Sequence, residues 1–143
     1  MQFMKKHLYV WGILMTFLLA STTCESNEYR IPYAVVDLHL NIISELGNPA
    51  LYSYTFHDGG ANGLIIYRED HAVFHVYDRT CTQYPDHEKA VVADEEFEGV
   101  FICPECNSKY LLLTGGDPIE GPATFGLQEY YSVVEGDLLH IYN

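Results

Sequence analysis

The sequence predicts one small all-β domain behind an export signal, and three observations carry that expectation. Short runs rich in β-branched and aromatic residues recur between turn residues. No window of twelve or more residues carries an i, i+3, i+4, i+7 apolar stripe. Twelve Tyr and seven Phe in a chain of 143 residues supply apolar surface for one core, and that length does not hold two full domains.

The elements follow in chain order. Lys5 and Lys6 precede a mostly apolar run over residues 8–20, and Ser21-Thr-Thr-Cys24 follows it. This order matches the charged, apolar and small-residue regions of a bacterial-type secretory signal. Thirteen residues span roughly 20 Å as a helix, short of a bilayer core of about 30 Å. Cys24 stands where a lipoprotein signal places its lipidated cysteine, so residues 1–23 are expected to be cleaved and Cys24 lipidated, with an unlipidated secreted protein and a plain membrane anchor as the alternatives. The chain is then an exported lipoprotein of the bacterial cell envelope, held on a membrane by its lipid anchor.

Seven expected strands occupy residues 33–40, 64–67, 72–77, 100–102, 110–113, 130–134 and 138–142. Arg68-Glu-Asp-His71 folds the second and third into a hairpin, and Glu135-Gly-Asp137 does the same for the last two. Residues 38–46 come nearest to a helical stripe, but Pro32 and Gly47-Asn-Pro49 bracket a short segment. The architecture is expected to be a small antiparallel sandwich or partly open barrel. Residues 24–63 supply its N-terminal strand and loop, and residues 64–143 its core.

Charge excludes whole classes of partner. Seven Lys and Arg against twenty Asp and Glu give a formal net charge of −13, and loss of Lys5 and Lys6 makes the mature chain more acidic still. Such a body repels phosphate backbones, so nucleic acid is not a partner. A Ser-His-Asp pattern, a paired-carboxylate motif and a phosphate loop are all missing, so the chain is not expected to be an enzyme by itself.

The chemistry concentrates in residues 77–125. Cys103-Pro-Glu-Cys106 is a Cys-x-x-Cys knuckle, and Cys81 precedes it. Two thiolates on one tight turn can face a single metal, and a distant third can close the site. The same spacing in an exported protein also serves a disulfide. Around these cysteines stand Tyr77-Asp-Arg-Thr-Cys81-Thr-Gln83, then Cys103-Pro-Glu-Cys106-Asn-Ser108-Lys-Tyr110, then Gly121-Pro122-Ala123. This ordered set resembles the Rieske iron–sulfur domain over about residues 64–143. The resemblance implies a Rieske-like β-domain with a rubredoxin-like two-loop metal-site subdomain, its loops at 81–85 and 103–110. It implies electron transfer through a [2Fe–2S] cluster to an unidentified redox or envelope protein partner.

Residue by residue, the resemblance puts Cys81 and Cys103 on one iron. Gln83 and Cys106 occupy the positions of the two histidines on the other, so the ligand set is altered. Ser108 and Tyr110 match hydroxyls that bond to the cluster and its cysteine, and Pro122 matches the loop that shields it. Each has a plainer role too, in turn amides, packing or a rigid turn. His87, in the loop after Cys81, is a weaker candidate ligand, and His71 and His75 are expected to serve surface or core. Zinc, or no metal at all, are the alternatives to the cluster. Without metal, three thiols outside the cytosol leave one disulfide and one free thiol. The shared iron of the resemblance and the larger closed loop favour Cys81–Cys103 over Cys103–Cys106. Two functions stay open: an electron carrier, or a degenerate disulfide- or zinc-stabilised fold acting as an envelope binding module. Residues 94–98 are expected to form a solvated acidic loop.

Overall fold

The computed structural model describes residues 31–84 and 89–143, so the signal segment, Cys24 and His87 lie outside the described residues. The strands are β1 (Asp37–Asn41), β2 (Tyr54–His57), β3 (Leu64–Asp70), β4 (Val73–Asp78), β5 (Val92–Ala93), β6 (Val100–Ile102), β7 (Lys109–Leu111), β8 (Asp117–Glu120), β9 (Glu129–Glu135) and β10 (Leu138–Tyr142). One 3-10 turn, Leu112–Thr114, follows β7. All strand pairs are antiparallel. They form a six-stranded sheet in the order β1-β10-β9-β4-β3-β2 and a four-stranded sheet in the order β5-β6-β7-β8. The chain is therefore all-β, a small sandwich or partly open barrel, as its sequence predicts. Among the described residues no helix is long and apolar enough to cross a membrane.

The run Leu64-Ile-Ile-Tyr67 is continuously apolar because β3 is buried on both faces. Leu64 and Ile66 point into a core with Val36, Leu40, Phe74, Val76, Leu139 and Ile141. Ile65 and Tyr67 point the other way, into a second core with Tyr77, Phe101, Tyr110 and Leu112 that joins the two sheets. β10 instead alternates, with Leu139 and Ile141 buried and Leu138 and Tyr142 exposed, because only one of its faces is covered. Each fully buried Leu or Ile contributes about 1.5–3 kcal/mol by leaving water.

The structure corrects several element bounds. β1 begins at Asp37 rather than Tyr33, since Ala34 and Val36 are held by the side chain of Asn143 and not by a ladder. The stripe over 38–46 is a strand running into a turn: Asn41 Oδ1 accepts the amides of Ile43 and Ser44. β3 continues through Arg68-Glu-Asp70, so the hairpin turns at His71 and Ala72. The expected strand at 110–113 ends at Leu111, where the 3-10 turn starts. Three strands, β2, β5 and β8, had no expectation. β8 contains Pro118, which a ladder tolerates here because β8 is an edge.

One buried carboxylate ties this frame together below the cysteines. Asp78, at the end of β4, has no solvent exposure. It accepts the amides of Ala61 at 2.6 Å and Thr80 at 2.9 Å, and the hydroxyls of Thr80 and of Tyr130, the latter at 2.8 Å. The neighbouring Gly60 has φ +62°, and a Cβ there would lie 2.2 Å from Asp78 Oδ2. Glycine at this position is therefore a condition of the carboxylate's burial.

Candidate metal centre

Three loops converge at one end of the small sheet. The first leaves β4 at Asp78 and carries Cys81. Its backbone is held on both sides, by the Arg79 amide to Gly63 O at 2.9 Å and the Val91 amide to Arg79 O at 2.8 Å. The Arg79 guanidinium donates to Val91 O and lies 4.4 Å over the ring of Phe56, which fixes the chain just before the cysteine.

The second loop joins β6 to β7 and is the Cys-x-x-Cys knuckle. The Asn107 amide bonds to Cys103 O at 2.9 Å, and the Cys103 amide to Ser108 O at 2.9 Å. Asn107 takes φ +59°, a left-handed conformation that asparagine tolerates better than most side chains. That reversal turns both thiols to one side. The third loop follows β8 and lies directly on the knuckle: a Cβ at Gly121, φ +93°, would sit 2.6 Å from Ser108 Cα. The Ala123 amide donates to Ser108 Oγ at 3.0 Å and completes the lock.

The result is a sulfur cluster. The Sγ atoms of Cys81, Cys103 and Cys106 all lie within 4.8 Å of one another, and Cys81 and Cys106 are 3.5 Å apart. None of the three is in a disulfide; Cys81 and Cys103 are buried and Cys106 is half-buried. Tyr110 Oη lies 3.4 Å from Cys81 Sγ, and Ser108 Oγ lies 3.2 Å from Cys106 Sγ. Burial pushes the Cys103 thiol up to about 12, against the opposing pull of the Cys106 and Glu105 amides. Burial also acts to raise Cys106, but the hydroxyl and amide of Ser108 and the neighbouring thiols outweigh it and bring that thiol below its ordinary range. Burial likewise raises the Tyr110 phenol.

The structure thus brings together Cys81, Cys103, Cys106, Ser108 and Tyr110. Gln83 is half-buried two residues beyond Cys81. Pro122 is exposed; the contacts of its loop to the knuckle run through Gly121 and Ala123. His71 is exposed, and His75 is clamped between Glu129 at 2.7 Å and Glu69 at 2.9 Å. Within the acidic segment Glu95–Glu98 are exposed, whereas Asp94 accepts the amides of Glu96 and Phe97 and faces Lys109 at 3.6 Å. All three sulfurs meet across the two loops, and the 3.5 Å approach of Cys81 to Cys106 adds a third close pair to the two disulfide alternatives considered from sequence.

Sequence reasoning missed Thr82. Its hydroxyl donates to Phe125 O at 2.6 Å and meets Tyr110 Oη at 3.2 Å, so it positions the phenol that reaches Cys81. A threonine one residue after a cysteine carries no pattern that would have marked it. Neither the protein-family models nor the curated protein sequences match this chain.

Proposed function

We propose that this chain is an exported, lipid-anchored envelope domain on a Rieske-like β-scaffold, and that its cluster loops hold one thiophilic ion, zinc, instead of a [2Fe–2S] cluster. Cys81, Cys103 and Cys106 are its thiolate ligands, a lighter donor takes the fourth position, and the domain works as a binding module. The 3.5 Å contact between the sulfurs of Cys81 and Cys106 carries this reading. At a metal–sulfur distance of about 2.3 Å, two thiolates on one tetrahedral ion lie about 3.8 Å apart. A two-iron cluster places a second iron and bridging sulfides between ligands on its opposite ends. The resemblance would put Cys81 and Cys106 on opposite ends, where they would not touch.

The donor set points the same way. An ordinary Rieske centre needs two neutral imidazoles on its outer iron, and this chain offers a carboxamide and a thiol at those positions. Three thiolates gathered at one point would set like charges against one another. A divalent cation at their centre offsets that repulsion, and thiolate ligation of this kind releases protons on binding. The hydroxyls of Ser108 and Tyr110 then orient the sulfurs they touch.

One observation favours the second reading, an electron carrier. The same two hydroxyls lie against sulfurs where the resemblance expects cluster-tuning bonds. Zinc, iron and acid-labile sulfide analysis of anaerobically purified protein decides between them. The first reading expects one thiolate-bound zinc per chain with neither iron nor labile sulfide. Two irons and two sulfides per chain would establish the electron carrier instead.

A further inference from the structure

Far along the chain from the thiols, a second group of ligating side chains stands on the outer face of the six-stranded sheet. His39 on β1 and His140 on β10 are direct cross-strand partners, and Asp37 lies two residues before His39 on the same face. The alternation of both strands puts Leu40, Leu139 and Ile141 into the core and these three outward. His140 Nε2 lies 2.9 Å from Asp37 Oδ1, and His39 Nδ1 lies 3.9 Å from the same oxygen. One ligand atom from each residue falls within 4.8 Å of the other two.

We propose that Asp37, His39 and His140 form a second metal site, which takes a late first-row divalent ion, zinc above all, and clips the first strand to the last. Zinc bonds imidazole nitrogen and carboxylate oxygen at about 2.0–2.2 Å, so its ligand atoms lie about 3.3–3.6 Å apart, between the two separations observed here. Two imidazoles and one carboxylate favour zinc, copper and nickel over magnesium and calcium, which prefer oxygen donors alone. The backbone already holds the three residues in place, since β1 and β10 pair through all five residues from Asp37 to Asn41. The cost is local: the imidazoles stack with centroids 4.0 Å apart and planes 13° from parallel, and an ion between them requires the rings to splay. The exposure of the His39 side chain, 58%, leaves room for that turn. The positions left over on the ion face solvent and take water. β1 is an edge strand, so a clip at this point fastens an otherwise one-sided strand.

The test uses the full mature chain as purified, titrated with zinc ion alone while the ring resonances of its histidines are followed by NMR. His39 and His140 should shift together and saturate at one added equivalent. β1 amide exchange should slow at the same time, and magnesium should do neither. His140→Ala and His39→Ala should each weaken this event at least tenfold, Asp37→Asn should weaken it by a smaller factor, and His71→Ala should leave it unchanged. These side chains are at the surface, so the variants keep the fold. The thiolate centre has no histidine among its assigned ligands, which keeps the two sites distinguishable. Failure of His39 and His140 to shift at millimolar zinc would overturn the proposal. Unchanged affinity in either histidine variant would overturn it as well.

Discussion

Replacing Asp78 with alanine should destabilise the domain by about 3–5 kcal/mol. The carboxylate accepts four hydrogen bonds and has no solvent exposure. Two of its donors, the amides of Ala61 and Thr80, belong to fixed backbone and cannot turn to other partners. Leaving the buried Thr80 amide unpaired costs about 1–3 kcal/mol, whereas the amide of Ala61, an exposed residue, forfeits about 1 kcal/mol. The hydroxyls of Thr80 and Tyr130 can rotate, so each forfeits only the net value of a bond, about 1 kcal/mol. Those terms sum to about 4–6 kcal/mol, and removing a buried carboxyl group returns part of it, which leaves the figure above. A domain of this size holds roughly 5–15 kcal/mol in total, so the variant should fold but melt early. Urea unfolding followed by far-ultraviolet circular dichroism measures the loss. Tyr130→Phe, which removes one donor and keeps the acceptor, should cost only about 1–2 kcal/mol in the same assay. A loss below about 1 kcal/mol for Asp78→Ala, at an unchanged denaturant slope, would refute the assignment of Asp78 as the tie beneath the cysteine loop.

Three further outcomes are expected. Gly121→Ala forces a Cβ against the Ser108 backbone at a φ that L side chains rarely adopt, so it should loosen the third loop and cut metal retention during dialysis against chelator at least tenfold, while β1–β10 amide protection stays intact. At His75, burial alone lowers the pKa, but the hydrogen bonds and charges of Glu69 and Glu129 outweigh it and the folded value is raised. The ion-paired imidazolium therefore stabilises fully below about pH 6.5, and that contribution fades as pH climbs through the raised value; His75→Gln should lose more melting temperature at pH 5.5 than at pH 9, and an equal loss at both would remove the clamp. Lastly, radiolabelled fatty acid should enter the wild-type chain and be lost in Cys24→Ala, and equal labelling of both would end the lipoprotein proposal.

The legible part of the fold was the part governed by local pattern. Leu64–Tyr67 and the closing hairpin announce themselves because continuous or alternating burial writes a period into the sequence. β5 and β8 do not, since they are short pieces whose partners, not their residues, make them strands, while β2, Tyr-Thr-Phe-His, has strand-favouring residues but only four of them. β5 has only Val92 and Ala93, and β8 spans Asp-Pro-Ile-Glu, which intrinsic propensity would reject. The candidate site was legible through cysteine spacing and the residues around it, which marked Ser108 and Tyr110 as well as the thiols. What spacing could not convey is which sulfurs meet. The meeting of Cys81 with Cys103 and Cys106 depends on how two loops, one after β4 and one between β6 and β7, approach each other in space. The Asp37, His39 and His140 group depends on a pairing across almost the whole described chain, and one strand alone shows only an Asp-x-His alternation.

X-ray absorption at the metal edge of the purified, full-length mature protein tests the central claim most directly. A single thiolate-held ion predicts a zinc edge, about three sulfur scatterers near 2.3 Å and one lighter ligand, with no metal neighbour. All three sulfur scatterers should vanish together in a Cys81→Ser, Cys103→Ser, Cys106→Ser variant. An iron edge with bridging sulfides and a second iron scatterer would contradict the account and restore the two-iron centre.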